Sequence, residues 1–217
     1  MFSPSEENYI KAIYHLQKNG KSVSTNALAD RMQTKPASVT DMLKRLGSKQ
    51  VLDYEPYYGV KLTQAGQKVA LNIIRRHRLW EFFLVNTIGF EWDKVHEIAE
   101  ELEHVQHPLL IDKLDEFLGR PAFDPHGDPI PDKEGKIATI NYRQLTDANA
   151  GDKVVFASVG LQTPELMSML KHKNLSLGDT IEVLDKFDFD QSLDVKINHD
   201  RLVSFSYRLA RYILITP

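Results

Sequence analysis

The chain contains no cysteine, which excludes disulfides and thiolate metal sites and fits a reducing cytoplasm. It has no apolar run approaching the ~20 residues of a membrane span, so no membrane partner is expected. Its first residues, Met-Phe-Ser-Pro-Ser-Glu-Glu, lack the basic stretch and apolar segment of a secretory signal. There is no internal repeat and no low-complexity tract, and the lack of a glycine-rich phosphate loop and of a nucleophile arrangement argues against an enzyme. The bulk composition is ordinary: 217 residues, 42% hydrophobic and 26% charged, enough for two or three small domains and too apolar for wholesale disorder.

The charge is unevenly spread. A net charge of -3 hides a basic segment, residues 1–80, with 13 Lys+Arg against 6 Asp+Glu, and an acidic remainder with 14 against 24. A basic first third suits a polyanion, and an acidic remainder suits cations or a solvated surface.

Apolar residues at Tyr9, Ile10, Ile13 and Leu16 recur at helical spacing, with Ser3 or Ser5 as cap and Pro4 in the first turn. Ser24 caps a second short helix, and Pro36 opens a third that turns Val39, Met42, Leu43 and Leu46 inward. Strand candidates at 51–55 and 60–63 flank the turn Pro56-Tyr57-Tyr58-Gly59. A long helical pattern begins at Gly66 and runs to about Ile88. Helices at 94–104 and 108–118 follow. Residues 119–134, rich in Pro, Gly and Asp, read as an extended, hydrogen-bond-poor connection. From about Asn141 the period changes to two: strands at 153–159, 180–184, 193–197 and 202–207 surround a short helix at 164–171, a pattern that points to a small barrel.

Three constellations carry chemistry. The first is the helix-turn-helix and hairpin of residues 24–63. A helix displaying Ser38, Thr40 and Lys44 beside Lys35 can enter a major groove, and the hairpin tip at Tyr57 can lie along the backbone as a wing. The second is His77 and Glu81, four apart on one helix face, where two side chains can share a cation or form an ordinary intrahelical pair. The third is His96, Glu100, Glu103 and His104, which fall within one stripe of roughly 100° on a helix. Two imidazoles and two carboxylates with no Lys or Arg among them make a poor salt-bridge face and a good divalent-metal face.

These residues, in this order and with Pro125-His126-Gly127-Asp128-Pro129-Ile130-Pro131 after them, resemble the diphtheria toxin repressor and manganese transport regulator family of metal-dependent repressors. The resemblance covers the whole chain. It implies a mainly α protein with a small β domain: a winged helix-turn-helix DNA-binding domain (1–72), a helical dimerisation and metal-binding domain with a Pro-rich linker (73–140), and an SH3-like, FeoA-type barrel (141–217). It also implies two metal sites per subunit. One matches His77, Glu81 and His96, with Gln162 and Glu165 as candidates from the barrel. The other matches Glu100, Glu103 and His104 with Asn8 from the first helix. Iron-type members carry cysteine and methionine where this chain has Glu100 and Asn8, so the exchange of sulfur for oxygen favours Mn(II), with Fe(II) second. Manganese-type members carry carboxylates at the positions of Asn8 and Lys11, and an ammonium cannot ligate. The partners implied are a palindromic double-stranded operator and a second copy of the chain, with no small organic substrate. A winged-helix regulator gated by an organic ligand, and a metalloenzyme built on the His/Glu cluster, are the competing classes.

Overall fold

The computed structural model describes residues 1–17 and 20–217. It divides into two compact units, each discontinuous in sequence: unit 1 comprises Met1–Trp80, Ala99–Arg120 and Ile130–Ile137; unit 2 comprises Glu81–Ile98, Pro121–Pro129 and Ala138–Pro217. None of the described helices is long and apolar enough to cross a membrane.

Unit 1 opens with α1 (Pro4–Leu16), held at its start by a capping box in which Ser3 and Glu6 satisfy each other's backbone N–H groups. Glu6 is 1% exposed. Its carboxylate also accepts from Arg45 Nε at 2.8 Å and Lys49 Nζ at 2.9 Å. Burial alone would raise its pKa, but Lys49, the Ser3 N–H and Arg45 together hold it down at about 2. Glu6 thereby ties α1 to α3 (Pro36–Ser48), and α2 (Thr25–Arg31) lies between them in sequence, capped by Ser24. An antiparallel hairpin follows, β1 (Leu52–Glu55) and β2 (Gly59–Leu62), pairing Leu52 with Leu62 and Glu55 with Gly59. Val23 exchanges both backbone hydrogen bonds with Val60, so the segment before α2 lies along the hairpin. Ile10, Ile13, Leu28, Val39, Leu43, Leu46, Val60 and Ile73 pack into one core.

Helix α4 spans Gln64–Phe83 and ends in a single π-helical turn, Leu84–Ile88, closed by Gly89 at φ +85°. It therefore starts before Gly66, not at it: Thr63 Oγ1 accepts the Gly66 N–H at 3.1 Å and acts as the cap. Gly66 is present because a Cβ there would lie 1.8 Å from the Val51 carbonyl oxygen. α5 (Val95–Leu102) and α6 (Pro108–Phe117) follow. α6 buries Ile111 and Leu114 but leaves Leu109, Leu110 and Phe117 exposed at 61%, 43% and 69%.

The sheet of unit 2 is antiparallel and six-stranded, in the order β3-β8-β4-β5-β6-β7. Its strands are β3 (Arg143–Gln144), β4 (Lys153–Val159), β5 (Thr180–Lys186), β6 (Leu193–Ile197), β7 (Arg201–Phe205) and β8 (Ile213–Thr216). The apolar run near the end of the sequence is thus a strand that inserts between β3 and β4. α7 (Pro164–His172) covers the core through Met167 and Leu170, and a last turn of helix, α8 (Tyr207–Ala210), precedes β8. Phe156, Leu170, Leu193, Val195, Phe205 and Ile213 form its buried centre.

Gly66→Ala inverts the usual helix preference. At an open helical site the change would gain up to ~1 kcal/mol. Here the Cβ meets backbone, so a loss of about 1–3 kcal/mol is expected from overpacking, read as a lower midpoint in urea unfolding. A stabilised variant would show that α4 and the segment at Val51 are not packed this closely.

Candidate metal centre

In unit 2 three segments converge. The last turn of α4 supplies Glu81, α5 supplies His96, and the turn at residues 124–128 supplies Asp124 and His126. That turn corrects the expectation of a hydrogen-bond-poor connection. Asp124 Oδ1 accepts the backbone N–H groups of His126 at 2.8 Å and Asp128 at 2.9 Å. The Asp124 N–H donates to the Asp128 carbonyl at 2.9 Å. Aspartate bonding to the backbone two residues ahead makes its own turn, which composition alone does not reveal. Gly127 adopts φ +84°, and a Cβ there would sit 2.0 Å from the Ala157 carbonyl. With Val159 N–H donating to His126 O at 3.2 Å, the turn is fastened to β4.

His126 is 2% exposed and stacks on Trp92, ring centroids 5.8 Å apart. Its Nε2–H donates to the Trp92 carbonyl at 2.9 Å. That bond leaves the lone pair on Nδ1, the arrangement in which a histidine ligates through one nitrogen while the other is held by a backbone carbonyl. Nδ1 makes no hydrogen bond and lies 3.6 Å from Glu81 Oε2. Glu81, 1% exposed, places Oε1 at 3.2 Å from His96 Nδ1. Single donor atoms of Glu81, Asp124 and His126 lie within 4.8 Å of one another, and all three residues are buried. Burial lowers the His126 pKa, but the Glu81 and Asp124 carboxylates and the Trp92 carbonyl outweigh it and raise the pKa above its ordinary value. The space between Nδ1 and the carboxylates thus calls for positive charge, which a proton or a metal ion can supply. Nitrogen and oxygen donors without sulfur fit a divalent first-row cation.

Gln162 Nε2 donates to Asp128 Oδ2 at 3.2 Å. With His96, His126 and Trp92 it lines a cavity of about 430 Å³. Glu165 is exposed on the first turn of α7 and does not line that cavity. Asp124 and His126 were not picked out as candidate ligands from the sequence. The signal was the Asp-Pro-His-Gly-Asp-Pro run, in which turn-forming residues bracket a histidine.

In unit 1 the residues expected to form a second site are arranged differently. α5 stops at Leu102, so Glu103 and His104 lie in the turn after it and the stripe of four is broken. Lys11 Nζ, from α1, bonds Glu100 Oε1 at 2.6 Å and both oxygens of Glu103 at 2.7 Å. Glu103 is fully buried, and its Oε2 also lies 2.7 Å from His77 Nδ1. Burial would raise the Glu103 pKa, but His77 and Lys11 prevail and lower it. His104 Nδ1 meets Glu7 Oε2 at 2.7 Å, and Arg76 binds both Glu7 Oε1 and the Glu103 carbonyl at 2.5 Å. Asn8 Oδ1 is buried without a hydrogen bond.

In the helix-turn-helix and hairpin segment, Lys35 precedes α3 as its N-cap, and Ser38 and Lys44 are exposed on that helix. The Thr40 hydroxyl donates to Pro36 O at 3.0 Å, which leaves it free to accept rather than donate outward. Tyr57 is fully exposed at the hairpin tip with φ +70°.

Family descriptions match along the whole chain: the iron-dependent repressor N-terminal DNA-binding domain over residues 1–60, the iron-dependent repressor metal-binding and dimerisation domain over 63–132, and the FeoA domain over 143–217. The transcriptional regulator MntR of Oceanobacillus iheyensis is 35% identical over 118 residues, 54% of this chain and 80% of that protein. The iron-dependent repressor IdeR of Mycobacterium tuberculosis is 31% identical over 155 residues, 68% of this chain and 67% of its own. A solved structure described as a manganese-dependent transcriptional repressor in complex with manganese superposes with a TM-score of 0.85 at 33% identity, covering 97% of this chain and 98% of that one. Fold and relatives together define a metal-dependent transcriptional repressor, with helical DNA-binding and dimerisation domains and a C-terminal SH3-like FeoA domain. Within that class the chain belongs to the diphtheria toxin repressor and manganese transport regulator family. Its relatives are repressors and not enzymes.

Asp124→Ala removes the acceptor of two backbone N–H groups in the turn that carries His126. Leaving such groups without a partner costs ~1–3 kcal/mol each. The expected result, in the presence of chelator, is a loss of about 2 kcal/mol or more in denaturant unfolding. An unchanged midpoint would show that the turn is not held by this carboxylate.

Proposed function

We propose that Glu81, His96, Asp124 and His126 hold the regulatory cation, with Gln162 positioning Asp128 beside it, and that the ion is Mn(II) in preference to Fe(II). The observation that carries this reading is the His126 ring: buried, fixed through Nε2, and turning an unbonded Nδ1 towards Glu81. The absence of sulfur donors supports the harder ion. When bound, a divalent cation supplies two positive charges to a pair of buried carboxylates. The protein's own part is to keep those carboxylates ionised, to fix the imidazole tautomer, and to hold the turn against β4. Glu165, exposed on α7, takes no part in this reading.

The DNA-reading surface is α3 with the hairpin wing. Lys44, Ser38 and Thr40 face the major groove, and Lys35 and Tyr57 the backbone. The residues divide functionally into 1–72 for DNA binding, 73–140 for dimerisation and metal binding, and 141–217 for the FeoA-type domain. A second copy of the chain covers Leu109, Leu110 and Phe117 of α6, giving a dimer that suits a palindromic operator, with half-sites about one helical turn, or a multiple of it, apart. Gating requires only that the DNA-competent conformation hold the ligands closer to coordination geometry than its alternative does. Reciprocity then requires that operator DNA tighten metal binding by the same factor. Repression of metal-uptake genes when metal is plentiful is the physiological outcome in this reading.

Selection of fragmented genomic DNA at ~0.15 M salt, where non-specific phosphate binding is damped, tests the whole reading. A palindrome enriched with Mn(II) and lost with chelator is expected; equal enrichment in both would overturn metal gating. His126→Gln should abolish the metal response while preserving the fold. Lys44→Ala should weaken operator binding by roughly tenfold, as for loss of one good DNA contact, with Mn(II) affinity in the absence of DNA unchanged. A Lys44 variant with altered metal affinity would put that residue elsewhere.

A further inference from the structure

The carboxylates of Glu100 and Glu103 face a cation already. Lys11 Nζ bonds three of their oxygens, and its side chain is only 12% exposed. Both oxygens of Glu103 are engaged, Oε1 by Lys11 and Oε2 by Lys11 and His77. Glu7 is engaged at both oxygens too, by Arg76 and by His104. Around this nest three carboxylates, Glu7, Glu100 and Glu103, meet two permanent cations, Lys11 and Arg76, and two imidazoles that can carry the remaining charge. A divalent ion entering would have to expel the Lys11 ammonium from three carboxylate oxygens, two of them on the fully buried Glu103, and leave that ammonium without its partners. The nest closed by Lys11 therefore does not fit a metal ion while that ammonium is in place.

We propose that Lys11 is a resident cation that permanently occupies this position, so that each chain binds a single divalent ion and the α1–α5 junction is fastened whether or not metal is present. A metal-loaded junction would come apart on chelation; one closed by an ammonium on a covalent stem does not. The count of one ion rests on the reading of the Glu81–His126 centre given above. The exclusion at Lys11 does not, and the two are tested apart.

The experiment counts Mn(II) bound per full-length chain by equilibrium dialysis, with unbound ion read by electron paramagnetic resonance. Four proteins are compared: the unaltered chain, Glu81→Gln/His126→Gln, Lys11→Ala, and the triple variant. The expected counts are one, none, two and one. Two ions in the unaltered chain, or no gain on Lys11→Ala in either background, would overturn the role of Lys11. An unchanged count in Glu81→Gln/His126→Gln would overturn the other centre, and the comparison of the triple with the double variant would still decide Lys11. Should Lys11→Ala fail to fold, as judged by circular dichroism, Lys11→Met keeps the length of the stem without the charge. A measurement on the unaltered chain needs no substitution: Lys11 should remain protected from an amine-acylating reagent at saturating Mn(II). Its exposure on adding the metal would mean that Mn(II) displaces it, contrary to the proposal.

Discussion

A carboxylate taken out of water must be met by positive charge or by hydrogen-bond donors, and among the described residues five are buried: Glu6, Glu7, Glu81, Glu103 and Asp124. Each is resolved in its own way. Glu6 draws on Arg45 and Lys49, whose stems reach in from the surface. Glu7 draws on Arg76 and His104, and Glu103 on Lys11 and His77. Asp124 spends one oxygen on backbone N–H groups. Glu81 faces the imidazoles of His96 and His126. A guanidinium and an imidazole differ in kind: the first is always charged, while the second can give up its proton and offer a lone pair.

That contrast organises the two ionisable clusters. In unit 1 Glu7 and Glu103 each meet a permanent cation, Arg76 and Lys11, as well as an imidazole, and the links run between α1, α4 and the turn after α5. In unit 2 the charge between Nδ1 of His126 and Glu81 is exchangeable, and every other feature of the turn serves to keep that nitrogen still: the stack on Trp92, the Asp124 loop closure, and the absence of a side chain at Gly127. A sensing site needs one replaceable charge in surroundings that do not relax around it.

Much of the fold was legible because its signals are local. Ser3, Ser24 and Pro36 announce helix starts through orphan N–H groups, and the period-two pattern of residues 153–159 and 193–197 marks strands with no help from elsewhere. The ligand clusters were legible only in part because they are tertiary. Nothing near Lys11 in sequence shows that it reaches residues some ninety positions away. The stripe from His96 to His104 has the right angular spacing, but α5 ends before its last two members. His126 sat inside the motif that carried the family resemblance, yet a Pro/Gly-rich run looks like a linker until the acceptor of each N–H is known. Gly66 looked like a helix start because the approach of Val51 that requires it is invisible in sequence.

The strand β8 lies between β3 and β4 although it follows all the other described strands in sequence. During synthesis β4 emerges long before its neighbour β8, and the edge strand β3 has no partner until residues 213–216 have left the ribosome. The turn carrying His126 leans on β4 through Ala157 and Val159. Unit 1 needs nothing beyond residue 137 and can fold on the growing chain. The winged-helix segment is thus complete in sequence before β4 and β8, the strands behind the turn that carries His126, have been made.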